Sequence, residues 1–316
     1  MKAGLRWLLG WGLGLAVLAW LIWGTGKSGW TTAWARWQDS WQSVPVWTWP
    51  VAALLWFLSF VLRARRMQEE WRWRRHIGLG MALRLVLVHN AAVLLLPMRS
   101  GELGYPWLTR QLFRASWSQS MRSLLWLRMQ DAVVLGLLAW MIWPGIPVWL
   151  RGLGLLAGLV GVLAPPLWWR PLRPFLLSRK PWGHWTRLWV QRQRSRGGWW
   201  LSAGNWLLKL GVVGGLLWQT LAPWQALTLM QAVQGALGGE LAALIPLQGP
   251  AGLGTYEAGV WIATGAVADR AALVATAALG VHAFCLMVSL VAALLWGALG
   301  PWSVMTDNRK PEERIG

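Results

Sequence analysis

Apolar runs long enough to cross a bilayer recur at 5–23, 44–62, 124–143, 150–169, 199–220 and 271–297, each close to the ~20 residues that span the hydrocarbon core. Lipid offers backbone N–H and C=O groups no water to bond, so segments of this kind fold as helices whose hydrogen bonds close within the segment. A soluble domain does not carry so many such runs in 316 residues. The sequence therefore predicts an all-α polytopic membrane protein with about six full transmembrane helices.

Two further apolar stretches are interrupted, and in the same manner. Residues 90–105 read NAAVLLLPMRSGELGY, and residues 239–257 read GELAALIPLQGPAGLGTYE. Each runs an apolar helix into a proline (Pro97, Pro246), then a glycine-bearing turn, then a glutamate (Glu102, Glu257) beside a tyrosine (Tyr105, Tyr256). Broken backbone at membrane depth survives only where protein or a watery cavity satisfies it. Matched Pro/Gly breaks in two halves of a polytopic chain point to a site between repeats.

Charge supplies the expected topology. The chain holds 30 Lys and Arg against 11 Asp and Glu, and the basic residues cluster at 63–76 and 170–198. By the positive-inside rule both segments lie in the cytoplasm, and the nearly uncharged linkers at 24–43, 144–149 and 221–224 lie outside. The first apolar run follows Lys2 and Arg6 without a small-residue cleavage site, so it is read as a retained span. Parity then requires 77–123 to leave the cytoplasm and return to it, and 225–265 to enter from the exterior and return there. The expectation is two re-entrant or broken-helix hairpins in an inverted repeat, with halves at about 44–143 and 199–297. They lie in one transmembrane domain, 1–305, followed by a polar cytoplasmic tail, 306–316; both termini are cytoplasmic. The 32 tryptophans cluster near expected helix ends, as interfacial aromatic belts do. Nucleic-acid binding is not expected, because juxtamembrane arginines face anionic lipid. A single cysteine, Cys285, leaves no intrachain disulfide or cysteine-based zinc site. No metal-ligand spacing, cofactor motif or catalytic constellation is present, and no oligomeric state is implied.

Ionisable groups in apolar segments are costly unless paired, which makes them functional candidates. Glu102 and Glu257 stand beside glycine turns, and Arg99, between Pro97 and Gly101, can fork onto a phosphate or snorkel to the interface. Gly252 and Gly254 permit positive φ and close approach to a ligand. Asn90 and Tyr256 complete the expected substrate-binding set. Arg128 and Asp131, three apart on one helix face, read as a structural ion pair, and Asn205, His89 and His282 as helix-packing or core groups.

At these positions the chain resembles the transmembrane region of the lysylphosphatidylglycerol synthase family, also called the flippase-like or UPF0104 family. The resemblance rests on Asn90, Pro97, Arg99, Gly101 and Glu102, then Arg128 and Asp131, and in the second half on Pro246, Gly249, Gly252, Gly254 and Glu257. The family pattern often continues with arginine after the first glutamate, where this chain has Leu103. The resemblance implies translocation or handling of an anionic phospholipid or a polyprenyl-phosphate-linked lipid in a bacterial inner (plasma) membrane. The short tail after Met305 leaves no room for the aminoacyltransferase domain, so lysylphosphatidylglycerol synthesis is not expected. A membrane enzyme of lipid-linked glycan synthesis, or a non-catalytic partner of such enzymes, is the alternative reading.

The inverted topology makes a direct prediction. Ser100→Cys should react with an impermeant maleimide from the cytoplasmic side, and Gly249→Cys from the exterior; the opposite pattern overturns the topology.

Overall fold

A computed structural model describes residues 30–72, 76–163, 197–244, 250–266 and 270–298, together with isolated positions 12, 16 and 19. The described chain is all helical. Ten α-helices follow in order: α1 (Trp30–Ser43), α2 (Thr48–Trp71), α3 (Leu79–Leu95), α4 (Gly104–Phe113), α5 (Trp117–Ile142), α6 (Val148–Leu163), α7 (Gly197–Leu221), α8 (Leu229–Ala242), α9 (Thr255–Thr264) and α10 (Ala271–Ala298). Short 3₁₀ turns at Pro97–Leu103 and Pro250–Gly252 separate α3 from α4 and α8 from α9. Among the described residues two helices, Trp117–Ile142 and Ala271–Gly297, are long and apolar enough to cross a membrane. Most of the first expected span (5–23), residues 170–196 of the basic segment and the C-terminal tail lie outside the described residues, as do Pro246 and Gly249.

Local chemistry accounts for the breaks. Leu96 precedes Pro97 and takes an extended conformation, φ −94° and ψ 131°, because a proline disfavours helical backbone in the residue before it. Gly101 then packs directly on the Ala92 backbone, where a Cβ would collide with the Ala92 carbonyl. In the second break Ala251, Gly252 and Gly254 all have positive φ (56°, 80° and 85°), and the glycines adopt that region without a Cβ penalty. Both hairpins are followed or preceded by well-capped helices. Ser116 and Gln119 form a reciprocal capping box at the start of α5, and Thr228 with Gln231 does so at the start of α8.

The order "long helix, broken hairpin, long helix" occurs twice, as α2–α3–α4–α5 and as α7–α8–α9–α10. Exchanging the two sets converts the helix contacts into one another. The α2–α3 contact corresponds to α7–α8, α3–α10 to α8–α5, α4–α5 to α9–α10, and α5–α7 to α10–α2. The α2–α7 contact and the contact between the two broken turns map onto themselves. The α7–α10 contact has no equally extensive counterpart between α2 and α5.

One boundary differs from the sequence expectation. The segment 63–76 reads as a basic loop, yet α2 continues through it to Trp71. Arg66 is buried there against an acidic partner, and the Arg, Met, Gln and Glu residues of that stretch favour a helix.

Core packing between α8 and α9 depends on small residues. A Cβ on Gly238 would meet the Gly259 carbonyl and Ala263, and one on Gly235 would meet Thr264 and Val260. Small faces of this kind let helix backbones approach closely. Large apolar side chains point outward elsewhere, including Leu54 on α2, Leu207 on α7, Ile262 on α9 and Leu294 on α10. So much exposed apolar surface marks a protein or membrane contact.

Gly238→Ala should lower stability by ~1–3 kcal/mol through overpacking, read as a drop in melting temperature in detergent. Gly215→Ala, on α7 with nothing near a Cβ, should leave it unchanged or raise it.

Candidate functional site

The long helices α2 and α7 carry polar residues at helical spacing along facing surfaces: Ser59, Arg63 and Arg66 on one, Ser202, Asn205 and Lys209 on the other. Steps of three and four residues place each set on one helix face. Buried between these faces and α5 is Asp131. Its carboxylate is held bidentately by Arg66, with Nη2 donating to Oδ2 at 2.9 Å and Nη1 to Oδ1. The Ser202 hydroxyl and the Trp206 indole N–H donate to Oδ1 at 3.1 and 3.0 Å.

Arg128, one turn earlier on α5, stands 3.7 Å from Asp131 Oδ2. It forks mainly onto Glu102 in the first broken turn, with Nη2 2.6 Å from Oε1 and Nε 3.2 Å from Oε2. His89 Nε2 lies 3.6 Å from the same carboxylate. In the second half, Glu257 is fully buried at 0% exposure. Its Oε2 accepts the Gly254 N–H at 2.6 Å, capping α9, and its Oε1 is 2.7 Å from His282 Nδ1. Tyr256 stacks on His282 with ring centroids 4.1 Å apart.

These two arrangements match across the halves. Arg128 lies eleven residues into its helix (117 to 128) and His282 eleven into its own (271 to 282). Each holds the glutamate of its own half's break. The first helix of each half also contributes a cation to the end of the hairpin's first arm. Arg63 Nη1 donates to Asn90 Oδ1 at 3.0 Å, and Lys209 Nζ meets Glu240 Oε1 at 2.7 Å. Lys209 is further boxed by the Trp56 and Trp206 rings, at 5.1 and 4.8 Å from their centroids, a favourable cation–π setting.

Where the two halves meet there is a cavity of about 310 Å³. Its charged wall residues are Arg63, Arg128, Lys209, Asp131 and Glu240, and its amides are Asn90 and Asn205. A smaller adjoining cavity of about 110 Å³ shares Arg63, Asn90, Lys209 and Glu240 and is closed by Tyr256, His282 and Cys285. The larger space falls in the ~300–1,000 Å³ range typical of small-molecule sites.

No family model, curated protein or solved structure matches the chain. What the site can do is therefore read from its own geometry.

Of the residues the sequence singles out, Asn90 lines both cavities and Tyr256 the smaller. Glu102 reaches the site through Arg128, and Glu257 lines neither cavity, being engaged by His282 and Gly254. Gly252 and Gly254 shape the second turn, with Gly252 O accepting the Thr255 hydroxyl at 3.0 Å. Arg99 lies in the first 3₁₀ turn, and its side chain is outside the described set. Arg128 and Asp131 approach each other, but each has a closer partner elsewhere.

Three residues central to the site, Arg63, Lys209 and Glu240, are absent from the sequence-derived site set, and so is Arg66. Reading 63–76 as a loop hid both arginines. The facing polar stripes at helical spacing were the signal that could have found them.

No cluster of three or more metal-ligating side chains occurs among the described residues. Each described site carboxylate lies against a cation, a histidine or a backbone N–H.

Removing one partner of a buried pair strands the other charge, at ~3–5 kcal/mol. Asp131→Ala should therefore lower the melting temperature sharply. Arg66→Met combined with Asp131→Leu should recover most of the loss, since a pair replaced by apolar side chains is often near neutral.

Proposed function

We propose that this chain is a multi-pass inner-membrane protein of inverted-repeat architecture that carries an anionic lipid, its headgroup passing through the cavity between the two halves. The observation that supports it most is the cavity itself: cationic, amide-lined, and set where two Pro/Gly-broken hairpins meet. Unwound backbone beside a polar space is how membrane carriers accommodate a substrate at mid-depth. The exchangeable helix contacts, together with the charge parity of the sequence, support a pseudo-two-fold axis in the membrane plane.

The outward apolar faces suit lipid tails, which stay outside while the headgroup moves through the protein. Arg63 and Arg128 present guanidinium groups, which bind phosphate oxygens with directional hydrogen bonds. The resemblance to the flippase-like family points the same way. In this reading both termini are cytoplasmic and the lipid is an anionic phospholipid or a polyprenyl-phosphate-linked lipid.

Proteoliposomes containing headgroup-labelled phosphatidylglycerol provide the test. Wild type should move the label between leaflets. Arg63→Ala should slow movement by about tenfold or more, the loss of a charge-assisted hydrogen bond, and Arg110→Ala, on the exposed side of α4, should not. No movement by wild type of either phosphatidylglycerol or a polyprenyl phosphate overturns the carrier reading.

A further inference from the structure

The charges around the cavity do not balance, and the residue left over is identifiable. Arg66 is met by Asp131, Arg128 by Glu102, and Lys209 by Glu240. Arg63 has no carboxylate within ion-pairing distance among the described residues. Its side-chain partners are the neutral Asn90 amide at 3.0 Å and the Phe60 ring. The Glu257–His282 pair closes on itself behind the smaller cavity.

A second polar side chain lines the same space. Asn205 is only 3% exposed and lines the larger cavity, yet its Oδ1 has no hydrogen-bond partner among the described residues. The N–H₂ end of this amide is a donor and can meet an anion held in that space. A cation without a carboxylate and an amide donor on one cavity wall together suit a bound anion.

The halves differ at one informative place. Arg63 and Lys209 each reach from the first long helix of their own half to the hairpin's first arm. The partner on the hairpin arm is an amide, Asn90, in the first half and a carboxylate, Glu240, in the second. Glu240 thereby neutralises the second cation and leaves the cavity with one unmatched positive charge.

We propose that the cavity binds a singly charged phosphodiester headgroup at Arg63 and Asn205, and that Glu240, by holding Lys209, is the residue that sets this charge limit. The proposal rests on the lipid-carrier reading and narrows its substrate class. A phosphodiester carries one negative charge at neutral pH. A phosphate monoester carries about 1.5 to 2, and a pyrophosphate more, so either brings into a low-dielectric space negative charge that nothing there meets. Uncompensated buried charge is strongly unfavourable. A phospholipid such as phosphatidylglycerol fits the single charge, whereas a prenyl phosphate or prenyl pyrophosphate exceeds it.

The two halves supply a test in opposite directions. Native mass spectrometry of the intact protein in detergent can measure retention of phosphatidylglycerol, farnesyl phosphate, farnesyl pyrophosphate and inorganic phosphate. Wild type should retain phosphatidylglycerol at least about tenfold better than either prenyl compound, and should not retain inorganic phosphate. Asn90→Asp, which gives Arg63 a carboxylate, should weaken phosphatidylglycerol by about tenfold. Glu240→Gln, which frees Lys209, should raise retention of farnesyl phosphate and farnesyl pyrophosphate.

Both substitutions nearly conserve shape, and loss of fold would not move the two variants in opposite directions. An unchanged order of retention in all three proteins overturns the proposal, as does wild-type preference for the pyrophosphate or equal retention of inorganic phosphate. The predicted order without leaflet-to-leaflet movement upholds this charge limit while overturning transport. Movement of every lipid regardless of charge does the reverse.

Discussion

The Asp131 carboxylate anchors the arrangement of the three longest helices that wall the cavity. It sits on α5, receives both terminal nitrogens of Arg66 from α2, and accepts the Ser202 hydroxyl and Trp206 indole from α7. A carboxylate buried with fewer donors would be strongly destabilising, because a buried charge is tolerated only when its lone pairs are met. With them met, the ion pair fixes where three helix faces stand relative to one another. Its consequences spread outward through shared side chains. Trp206 also packs on Lys209, and Arg128, one turn from Asp131, reaches the first broken turn through Glu102. The position of that break is thus tied to the same hub that sets the width of the cavity.

The second half solves the corresponding problem with different chemistry. Where Arg128 grips Glu102, His282 meets Glu257, and the glutamate doubles as the N-terminal cap of α9 through the Gly254 N–H. A carboxylate at a helix N-terminus is favoured by the unsatisfied amides and the helix dipole there. Glu257 is accordingly the more enclosed of the two glutamates and is withdrawn from the cavity. This asymmetry within a repeated plan separates residues that hold the breaks in place from those that line the cavity without a carboxylate partner, Arg63 and Asn205 among them.

Much of this was legible in the sequence, for reasons that can be named. The runs 124–143, 199–220 and 271–297 correspond to α5, α7 and α10 within a few residues, except that α5 begins earlier at Trp117, where the polar first turn is stabilised by the Ser116 cap rather than by apolar content. Pro97 and Gly101 located the first break, and Gly252 and Gly254 the second, because backbone geometry there is dictated locally. The end of α2 was not legible, since a basic run is read as a loop unless its acidic partner is known, and Asp131 lies 65 residues away. For the same reason Arg128 and Asp131, which do stand 3.7 Å apart, read as a pair complete in itself. Spacing along one helix shows which groups are near each other, but not that Arg66 and Glu102 approach from other elements. Lys209 and Glu240 are visible as ionisable groups in apolar segments, and only the tertiary fold joins them.

A lipid carrier of the proposed kind holds a headgroup at the unmatched charge between its halves. Structure determination by electron cryomicroscopy in nanodiscs made with phosphatidylglycerol tests that most directly. Headgroup density in the cavity, with phosphate oxygens within hydrogen-bonding distance of the Arg63 guanidinium and the Asn205 amide, is the expected result. A cavity holding only water, with ordered lipid confined to the outer faces, or a resident ligand without a phosphate, contradicts it.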